Sequence, residues 1–514
     1  MVLLSVLDVV LVVLGGAGML YQAVCIVISL FAKPIKFPEA PMNKRYAVLI
    51  SARNEANVIG NLIDCLHSQT YPSELIDIWL VADNCTDNTA EVARNMGCHV
   101  IERFNKEQVG KGYALTYLLD QMNESGASDP YDAFFVFDAD NKLDKHYIEE
   151  MNKGFQAGFK ILTSYRNSVN LSDNWVSSGS ALWFIRESRF VSASRMWLGN
   201  SCHVGGTGFM FSQEIMRRNN GWKFHLLTED LEFTMDSVLH GDRIGYCGTA
   251  ILYDEQPVTF AQSWRQRLRW SKGFLQVFRY YGPALIKRAV RERDFSAVDF
   301  TLLLCPFTVL GIARVLLGML FAACGFVTWQ SQLNSLTGWT SGIVISVIGM
   351  MGLAALTIVA ERDHVGATNK ELLAYVLAFP IYMLSYVPIS FQAVFAKSEW
   401  KPIEHKLRLA RGGVNGHEMF RGDPYGADGE KMTKRGCGLA MDDAGDYRYA
   451  RRRRAITVAV SVVATVALCV GYAVADMCDV APGVLTLRHV EHSTAAAAGR
   501  SVEAADVVAD IDAS

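Results

Sequence analysis

Apolar residues follow two regimes along this chain: uninterrupted runs long enough to cross a bilayer, and short β-rich runs alternating with segments of helical period. Residues 1 to about 32 form one long apolar run in which only Asp8 is charged, with Lys33 and Lys36 just after it. No Lys or Arg precedes the run, so it lacks the basic start of a signal peptide, and its length suits a retained anchor. The two lysines put the segment after them on the cytosolic side.

From Tyr46 to about Val169 the pattern changes. The runs Tyr46 to Ile50, Ile76 to Val81, His99 to Ile101, Ala133 to Phe137 and Ile161 to Thr163 predict strands. Between the first two, Val58, Leu62, Ile63 and Leu66 recur at helical spacing, and Ala114 to Leu119 predicts another helix. Strand, helix, strand, helix implies a parallel sheet covered by helices. In such sheets ligands bind beyond the carboxyl ends of the strands, which is where Asp83, Asp138 and Asp140 fall.

After Trp264 a basic, aromatic, amphipathic stretch to about Arg293 leads into apolar runs near Phe300 to Val327, Ile343 to Ala360 and Leu372 to Ala396, with another at Ile456 to Ala475. The stretch from Lys397 to Arg454 is rich in Lys and Arg and is expected in the cytosol, with a disordered acidic, Ala-rich tail outside. Three full crossings would put that basic block outside. One run is therefore expected to be interfacial or re-entrant, with Pro380 and Pro388 pointing to the third.

At 514 residues the chain has room for a catalytic domain of about 250 residues plus a membrane part. Hydrophobic residues make up 51% and the mean hydropathy is +0.15, which fits a membrane protein. A net charge of −3 gives no basic field for nucleic acid. The eleven cysteines include no C-x-x-C pair, so neither a zinc site nor a disulfide framework is read from them, and a reduced cytosolic domain is the simpler reading.

Three clusters carry candidate chemistry. Asp138-Ala139-Asp140 places two carboxylates at i and i+2, a pair that can share Mg²⁺ or Mn²⁺ while leaving positions for diphosphate oxygens, or can serve as a turn in which Asp bonds its own backbone. Thr228-Glu229-Asp230 reads as an ordinary helix start, and equally as a carboxylate placed to accept a proton, with Asp230 the candidate base. In Gln266-Arg267-Leu268-Arg269-Trp270, a helix puts Gln266, Arg269, Trp270 and Gly273 on one face and Trp264, Leu268, Leu275 and Phe278 on roughly another, one for the site and one for the membrane. Arg269 can neutralise a leaving diphosphate and Trp270 can stack on a sugar, while Trp264 and Arg265 read better as interfacial anchors.

Smaller clusters add to these. Asp83-Asn84-Cys85-Thr86-Asp87 offers acceptors for a base or ribose, or a turn and helix cap. Gly110-Lys111-Gly112 can bring an ammonium near phosphates but lacks P-loop spacing. Gly205-Gly206-Thr207-Gly208 gives a backbone that a sugar can approach, or a flexible turn. His203, Cys202 and His225 lack ligand spacing and read as structural.

Together and in this order, Ala52-Arg53-Asn54-Glu55, Val81-Ala82-Asp83, Gly110-Lys111-Gly112, Asp138-Ala139-Asp140, Gly206-Thr207-Gly208, Thr228-Glu229-Asp230 and Gln266 to Trp270 resemble glycosyltransferase family 2, in the membrane branch with cellulose, hyaluronan and poly-N-acetylglucosamine synthases. The resemblance spans roughly Tyr46 to Gly273 plus the flanking membrane helices. It implies an α/β GT-A (Rossmann-like) catalytic domain with an α-helical transmembrane region, a UDP-sugar donor, a divalent metal and inversion at the anomeric carbon. By that likeness Asp83 and Glu55 hold the uridine, with Lys111 and Arg269 also on the donor. Asp138 and Asp140 take the diphosphate and metal, and Asp230 is the base with Glu229 beside it. Gly206, Thr207, Gly208, Gln266 and Trp270 form the acceptor end. No Arg-x-x-x-Arg followed by Asp-x-Ser-x-x-Gly is present, so cyclic-diguanylate control is not expected.

The expected organisation is an anchor at 1–36, a cytosolic GT-A domain at 44–262, amphipathic interfacial helices at 263–296, transmembrane helices at 297–396, a basic cytosolic segment at 397–454, a further transmembrane helix at 455–476 and a disordered acidic tail at 477–514. Two activities fit: a processive synthase extending a polysaccharide from UDP-GlcNAc or UDP-Glc with coupled export, and a non-processive, ceramide-glucosyltransferase-like glycolipid synthase. A catalytically silent export subunit is the reading outside enzymes. Partners expected are the UDP-sugar, a glycan or lipid acceptor, membrane lipids and an accessory export subunit, but no nucleic acid.

Overall fold

The computed structural model describes residues 2–31, 35–326, 328–365 and 367–397. Nearly all of the basic segment at 397–454, the expected helix at 455–476 and the acidic tail lie outside the described residues.

The strands are β1 (Tyr46–Ala52), β2 (Ile76–Asp83), β3 (His99–Arg103), β4 (Ala133–Asp138), β5 (Lys142–Leu143), β6 (Ile161–Ser168), β7 (Phe209–Ser212) and β8 (Ile244–Asp254). They form one sheet in the order β3-β2-β1-β4-β7-β6-β8-β5. The first half is parallel, as its β-branched and aromatic runs predict. Along β1, Ala47 and Leu49 enter one core while Tyr46, Val48 and Ile50 enter the other, so both faces are buried.

The expected parallel sheet holds for β1 to β4 and is interrupted beyond them. β7 runs antiparallel to both β4 and β6, making the sheet mixed. Its four residues are delivered by the glycine loop rather than by a crossover helix. Gly208, at φ +65°, lies so close to Leu252 that a Cβ would meet it at 2.2 Å, and its N–H donates to the Val136 carbonyl at 3.0 Å.

Helices α2 (Ile59–His67), α3 (Thr89–Asn95), α4 (Lys111–Glu124), α5 (Tyr147–Gln156) and α8 (Gln213–Asn219) are among those covering the sheet. α6 (Trp175–Arg186) and α7 (Ala193–Leu198) join through a π-helical turn at Glu187–Ser192, and pack toward the N-terminal helix α1 (Val2–Phe31). α9 (Glu229–Leu239) precedes β8, and α10 (Phe260–Glu292) follows it. Then come α11 (Phe295–Leu304), α12 (Phe307–Ala323), α13 (Trp329–Ala360), α14 (Asn369–Leu384) and α15 (Tyr386–Phe395).

Among the described residues, Val13–Phe31, Thr340–Ala360 and Asn369–Phe395 are long and apolar enough to cross a membrane. α11 and α12 qualify only as a pair, bent by 49°. The sharp bend therefore falls at Cys305–Pro306, in the first apolar run after the domain, and not in the third. There the Pro380-containing α14 continues through Ser385 into α15 as one candidate span. Proline removes the amide that would bond back across Cys305, so the chain turns there.

Candidate functional site

β1 and β4 are neighbours that pair Ser51 with Asp138, and on the other side of β1 Ala52 pairs with Ala82. The carboxyl ends of β1, β2 and β4 thus lie level, at the point where strand order reverses. A cavity of ≈ 610 Å³ opens there. It takes in Glu55, Asp83, Lys111, Asp138, Asp140, Gly206, Glu229, Asp230, Gln266, Arg269 and Trp270, and ends against Leu303–Val309, Met383 and Tyr386. Side chains separated by more than 200 residues in sequence share one cleft.

At the β2 end, buried Asp83 accepts from Arg103 Nη1 at 2.6 Å, while Arg103 Nη2 donates to the Gln108 carbonyl. Asn54 and Asn84 both adopt left-handed backbone, at φ +59° and +53°. Asn54 Oδ1 accepts from the Thr86 amide at 2.7 Å, and Asp87 Oδ1 from the Thr89 amide at 3.1 Å. The acidic pentapeptide is therefore both a turn and a wall: Thr86 and Asp87 lock the loop, and Asp83 faces the cleft.

At the centre, Lys111 opens α4 and pairs with the Asp138 carboxylate while donating to the Gly206 carbonyl at 2.8 Å. Gly112 lets α4 pass the Phe224 carbonyl, which a Cβ would meet at 2.2 Å. The Asp138 amide donates to Thr207 Oγ1 at 2.9 Å and to Asn141 Oδ1 at 3.1 Å. Thr207 and Gly208 do not line the cleft: the Thr207 hydroxyl is bound into the Asp138–Asn141 turn and Gly208 packs on Leu252. They hold the wall that was expected to touch the acceptor, leaving Gly206 as the cleft's member of that motif.

Among the described residues no three His, Cys, Asp or Glu groups converge as a self-sufficient metal cage. A hard cation such as Mg²⁺ is commonly held by one or two carboxylates plus substrate phosphates, and Asp138 with Asp140 at the cleft floor supply that oxygen donor set. The residues present therefore fit a metal that arrives with a phosphorylated ligand.

α9 begins with the acidic pair. Thr228 sits at the N-cap, but its side chain makes no cap bond and its hydroxyl is buried without a partner, correcting the expected threonine cap. Glu232 instead reaches back to the amides of His225 (2.9 Å) and Leu226 (2.8 Å). Burial raises the Glu229 carboxyl to about 7, helped by Asp230 beside it and opposed by Lys111 and Arg269. Burial likewise raises Asp230, opposed by the Leu231 amide, His203, Lys111 and Arg269.

α10 closes the far side. Arg269 donates to the Leu227 carbonyl at 3.3 Å, and Trp270 meets Phe184 edge-on at 5.9 Å between centroids. Arg267 faces away, fully buried, donating to the Tyr382 carbonyl (2.9 Å) and Ser385 Oγ (2.6 Å), so it fastens α10 to the α14–α15 joint. Leu275, expected on the membrane face, lines the cavity, and Trp264 donates to Gln392 of α15 at 2.9 Å.

Sequence reasoning missed Arg166 and Asp254 and read His203 as structural. Arg166 donates to Asp254 Oδ2 at 2.7 Å and to the Gly205 carbonyl at 2.6 Å, with its guanidinium 3.8 Å over Phe184. Asp254 ends β8, a strand hidden by Gly245 and Gly248; the short apolar run Ile251-Leu252-Tyr253 before an acid was the available signal. His203 lines the cavity and was set aside for lack of metal-ligand spacing, whereas Cys202 and His225 are structural as read, the first fully buried and the second stacked on Tyr113.

Residues 43–273 match a family model described as glycosyltransferase like family 2. The chain is 25% identical over 364 residues to a beta-monoglucosyldiacylglycerol synthase of Synechocystis, covering 69% of this chain and 72% of that one. It is 23% identical over 231 residues to a poly-beta-1,6-N-acetyl-D-glucosamine synthase of Staphylococcus epidermidis, covering 44% of this chain and 53% of that one. A mannosyltransferase from Pyrobaculum calidifontis in complex with GDP-Man and Mn²⁺ superposes with a TM-score of 0.46 at 16% identity, over 75% of this chain and 99% of that one. Residues 43–273, folded as a GT-A-like α/β domain and followed by apolar helices of membrane length, form a glycosyltransferase family 2 domain.

Proposed function

We propose that the protein transfers a sugar from a UDP-sugar to a lipid acceptor, with inversion at the anomeric carbon. The observation that carries this reading is the two-ended cavity, polar from Ser51 to Asp230 and apolar where Leu303, Leu304, Pro306, Phe307, Val309 and Met383 close it. A nucleotide suits the first end and an acyl chain the second. A relative named as a glucosyldiacylglycerol synthase, matched over most of both chains, supports the lipid choice.

In this reading Asp83 and Glu55 contact the uridine. Asp138 and Asp140 would hold Mg²⁺ or Mn²⁺ with the diphosphate, and a cation there supplies charge neutralisation for the departing UDP. Lys111 leaves its contact with Asp138 to meet a phosphate, and Arg269 offsets the remaining charge. Asp230 takes the proton of the attacking hydroxyl as that oxygen displaces UDP in line. Its raised affinity for a proton makes it a better base at neutral pH than an exposed carboxylate. Glu229, beside it in the cavity, holds its proton further toward neutrality than an ordinary carboxyl and so, below neutral pH, spares Asp230 a second adjacent anion.

In this reading the catalytic domain lies at the cytosolic face. With the α11–α12 pair taken as re-entrant, α13 and α14–α15 are two crossings between the domain and Lys397, so Lys397 returns to the domain's side.

A second reading, a processive synthase acting on a glycan, is favoured by Trp183, Phe184 and Trp270 lining the same cavity, since aromatic faces suit sugar rings. Full-length protein in lipid nanodiscs, given labelled UDP-Glc or UDP-GlcNAc with diacylglycerol and Mg²⁺, is expected to move label into the organic phase. Label in a large aqueous product would install the processive reading, and transfer from neither donor to either acceptor would reject both.

A further inference from the structure

His203 sits in the catalytic cleft, in the loop leading to β7, with its Nδ1 3.3 Å from Glu187 Oε1 in the π-helical turn. Glu187 lies in turn between Arg186, whose Nη2 is 3.0 Å away, and Arg195 at 3.7 Å. The next residue in the loop is stitched to the catalytic helix: the Val204 amide donates to Thr234 Oγ1 at 3.1 Å, and that hydroxyl donates to the Asp230 carbonyl at 2.9 Å. Gly206, three residues on, would bring a Cβ to 3.5 Å from Asp230 Oδ2. The backbones carrying His203 and Asp230 are thus tied together by two hydrogen bonds, and both residues line the same cavity.

Resting on the proposed role of Asp230, we propose that His203 is a positioning residue: anchored by Glu187, its imidazolium provides the positive charge that keeps the base ionised in the acid part of the working range. The charged groups that bear most on Asp230 are Glu229 on its own helix, Lys111 from α4, Arg269 from α10 and His203, while Asp138, Asp140, Arg166, Asp254 and Glu255 line the same cavity. Of these cations Lys111 and Arg269 turn to the diphosphate when donor binds, which leaves His203 to oppose burial. Glu187 is suited to hold it. Burial works against the Glu187 charge, but His203, Arg186 and Arg195 outweigh burial and hold its carboxyl down to about 2, so it remains an anion throughout. An imidazole gains its charge as pH falls, which is where Asp230 would otherwise take up a proton.

The test uses full-length His203→Gln and Glu187→Gln proteins in nanodiscs, with two readouts. In the first, the acid limb of the transfer rate is expected to move up by about one pH unit in His203→Gln, a loss on the order of tenfold at pH 6 that fades by pH 8.5, with Glu187→Gln shifted the same way. In the second, thermal unfolding at pH 6 of wild type, His203→Gln, Asp230→Asn and the double variant is expected to be non-additive, because the two side chains interact. A loss of rate equal at every pH, or an additive unfolding cycle, would overturn the proposal. If the wild type transfers sugar from no UDP donor, the functional reading fails, and the unfolding cycle still decides whether His203 and Asp230 are coupled.

Discussion

Gly273 of α10 faces Thr228 at the start of α9 so closely that a Cβ at position 273 would lie 2.5 Å from Thr228 Cγ2 and 2.6 Å from Oγ1. The helix carrying Arg269 and Trp270 can reach the helix carrying Asp230 only because residue 273 has no side chain. Thr228 is short and β-branched, so it cannot swing aside. Gly273→Ala is expected to cost about 1–3 kcal/mol of stability through overpacking, and to lower transfer further by parting the two helices. Thr228→Ala, which sacrifices no hydrogen bond because the hydroxyl has none, removes the two nearest atoms and leaves Cβ at 3.0 Å, so it should recover part of both losses in the double variant. Rates and unfolding midpoints of the four proteins check this; a double variant no better than Gly273→Ala would show that the contact is not what separates the helices.

That contact also marks how far the sequence reached. The seven short motifs were readable as chemistry only together and in order, since each alone also reads as a turn, a cap or a helix face, and β1 to β4 were readable from their apolar runs. β7 and β8 were not: one has four residues, Phe209–Ser212, and the other is broken by Gly245 and Gly248. Missing them hid the antiparallel turn-back, and with it Asp254 and Arg166. Thr207 was legible as a motif member but not as a support, since only the fold puts its hydroxyl on the Asp138 amide rather than in the cleft. The bend at Pro306 lost out to Pro380 and Pro388 because proline count says nothing about which helix is free to bend.

Asp230→Asn should keep UDP binding and lose transfer by about 10²–10⁴-fold, the range of a positioned general base. The amide fills the same volume at the start of α9, so the donor end is undisturbed. Calorimetry with UDP and a rate measurement in parallel separate the two effects. Loss of UDP affinity on the scale of the rate loss would move Asp230 from base to donor ligand.

Chelation with EDTA should abolish transfer, and Mg²⁺ or Mn²⁺ should restore it, because two carboxylates alone leave the diphosphate charge unmet. Asp140→Asn is expected to raise the metal concentration needed for half-maximal rate without unfolding the protein. Undiminished activity in EDTA would assign the leaving-group charge to Lys111 and Arg269 instead.

The Glu229 carboxyl, raised from 4.5 to about 7, makes a signed prediction for stability. The folded protein holds a proton there that the unfolded chain releases above pH 4.5, so this contribution is complete below pH 4.5 and is lost as pH rises toward 7. Glu229→Gln, which is neutral at every pH, should flatten that part of the stability profile. Thermal unfolding between pH 4.5 and 7.5 reads it directly, and an unchanged slope in the variant would place the raised carboxyl elsewhere.

Arg195 and Asp299 join the catalytic domain to the membrane part. Arg195 Nε and Nη2 donate to the two Asp299 oxygens at 2.7 and 2.8 Å, both side chains are almost fully buried, and Tyr21 of the N-terminal helix adds a third donor at 2.7 Å. Asp299→Asn removes the charge that answers the guanidinium and leaves Glu187, 3.7 Å from Nη1, as its nearest anion. An uncompensated buried charge of this kind costs about 3–5 kcal/mol, whereas replacing both partners with apolar residues of similar volume is often neutral. Asp299→Asn should therefore unfold at markedly lower temperature in detergent than the Arg195→Met/Asp299→Leu pair. Equal losses in the two proteins would mean that the contact matters for the hydrogen bond from Tyr21 rather than for its charge.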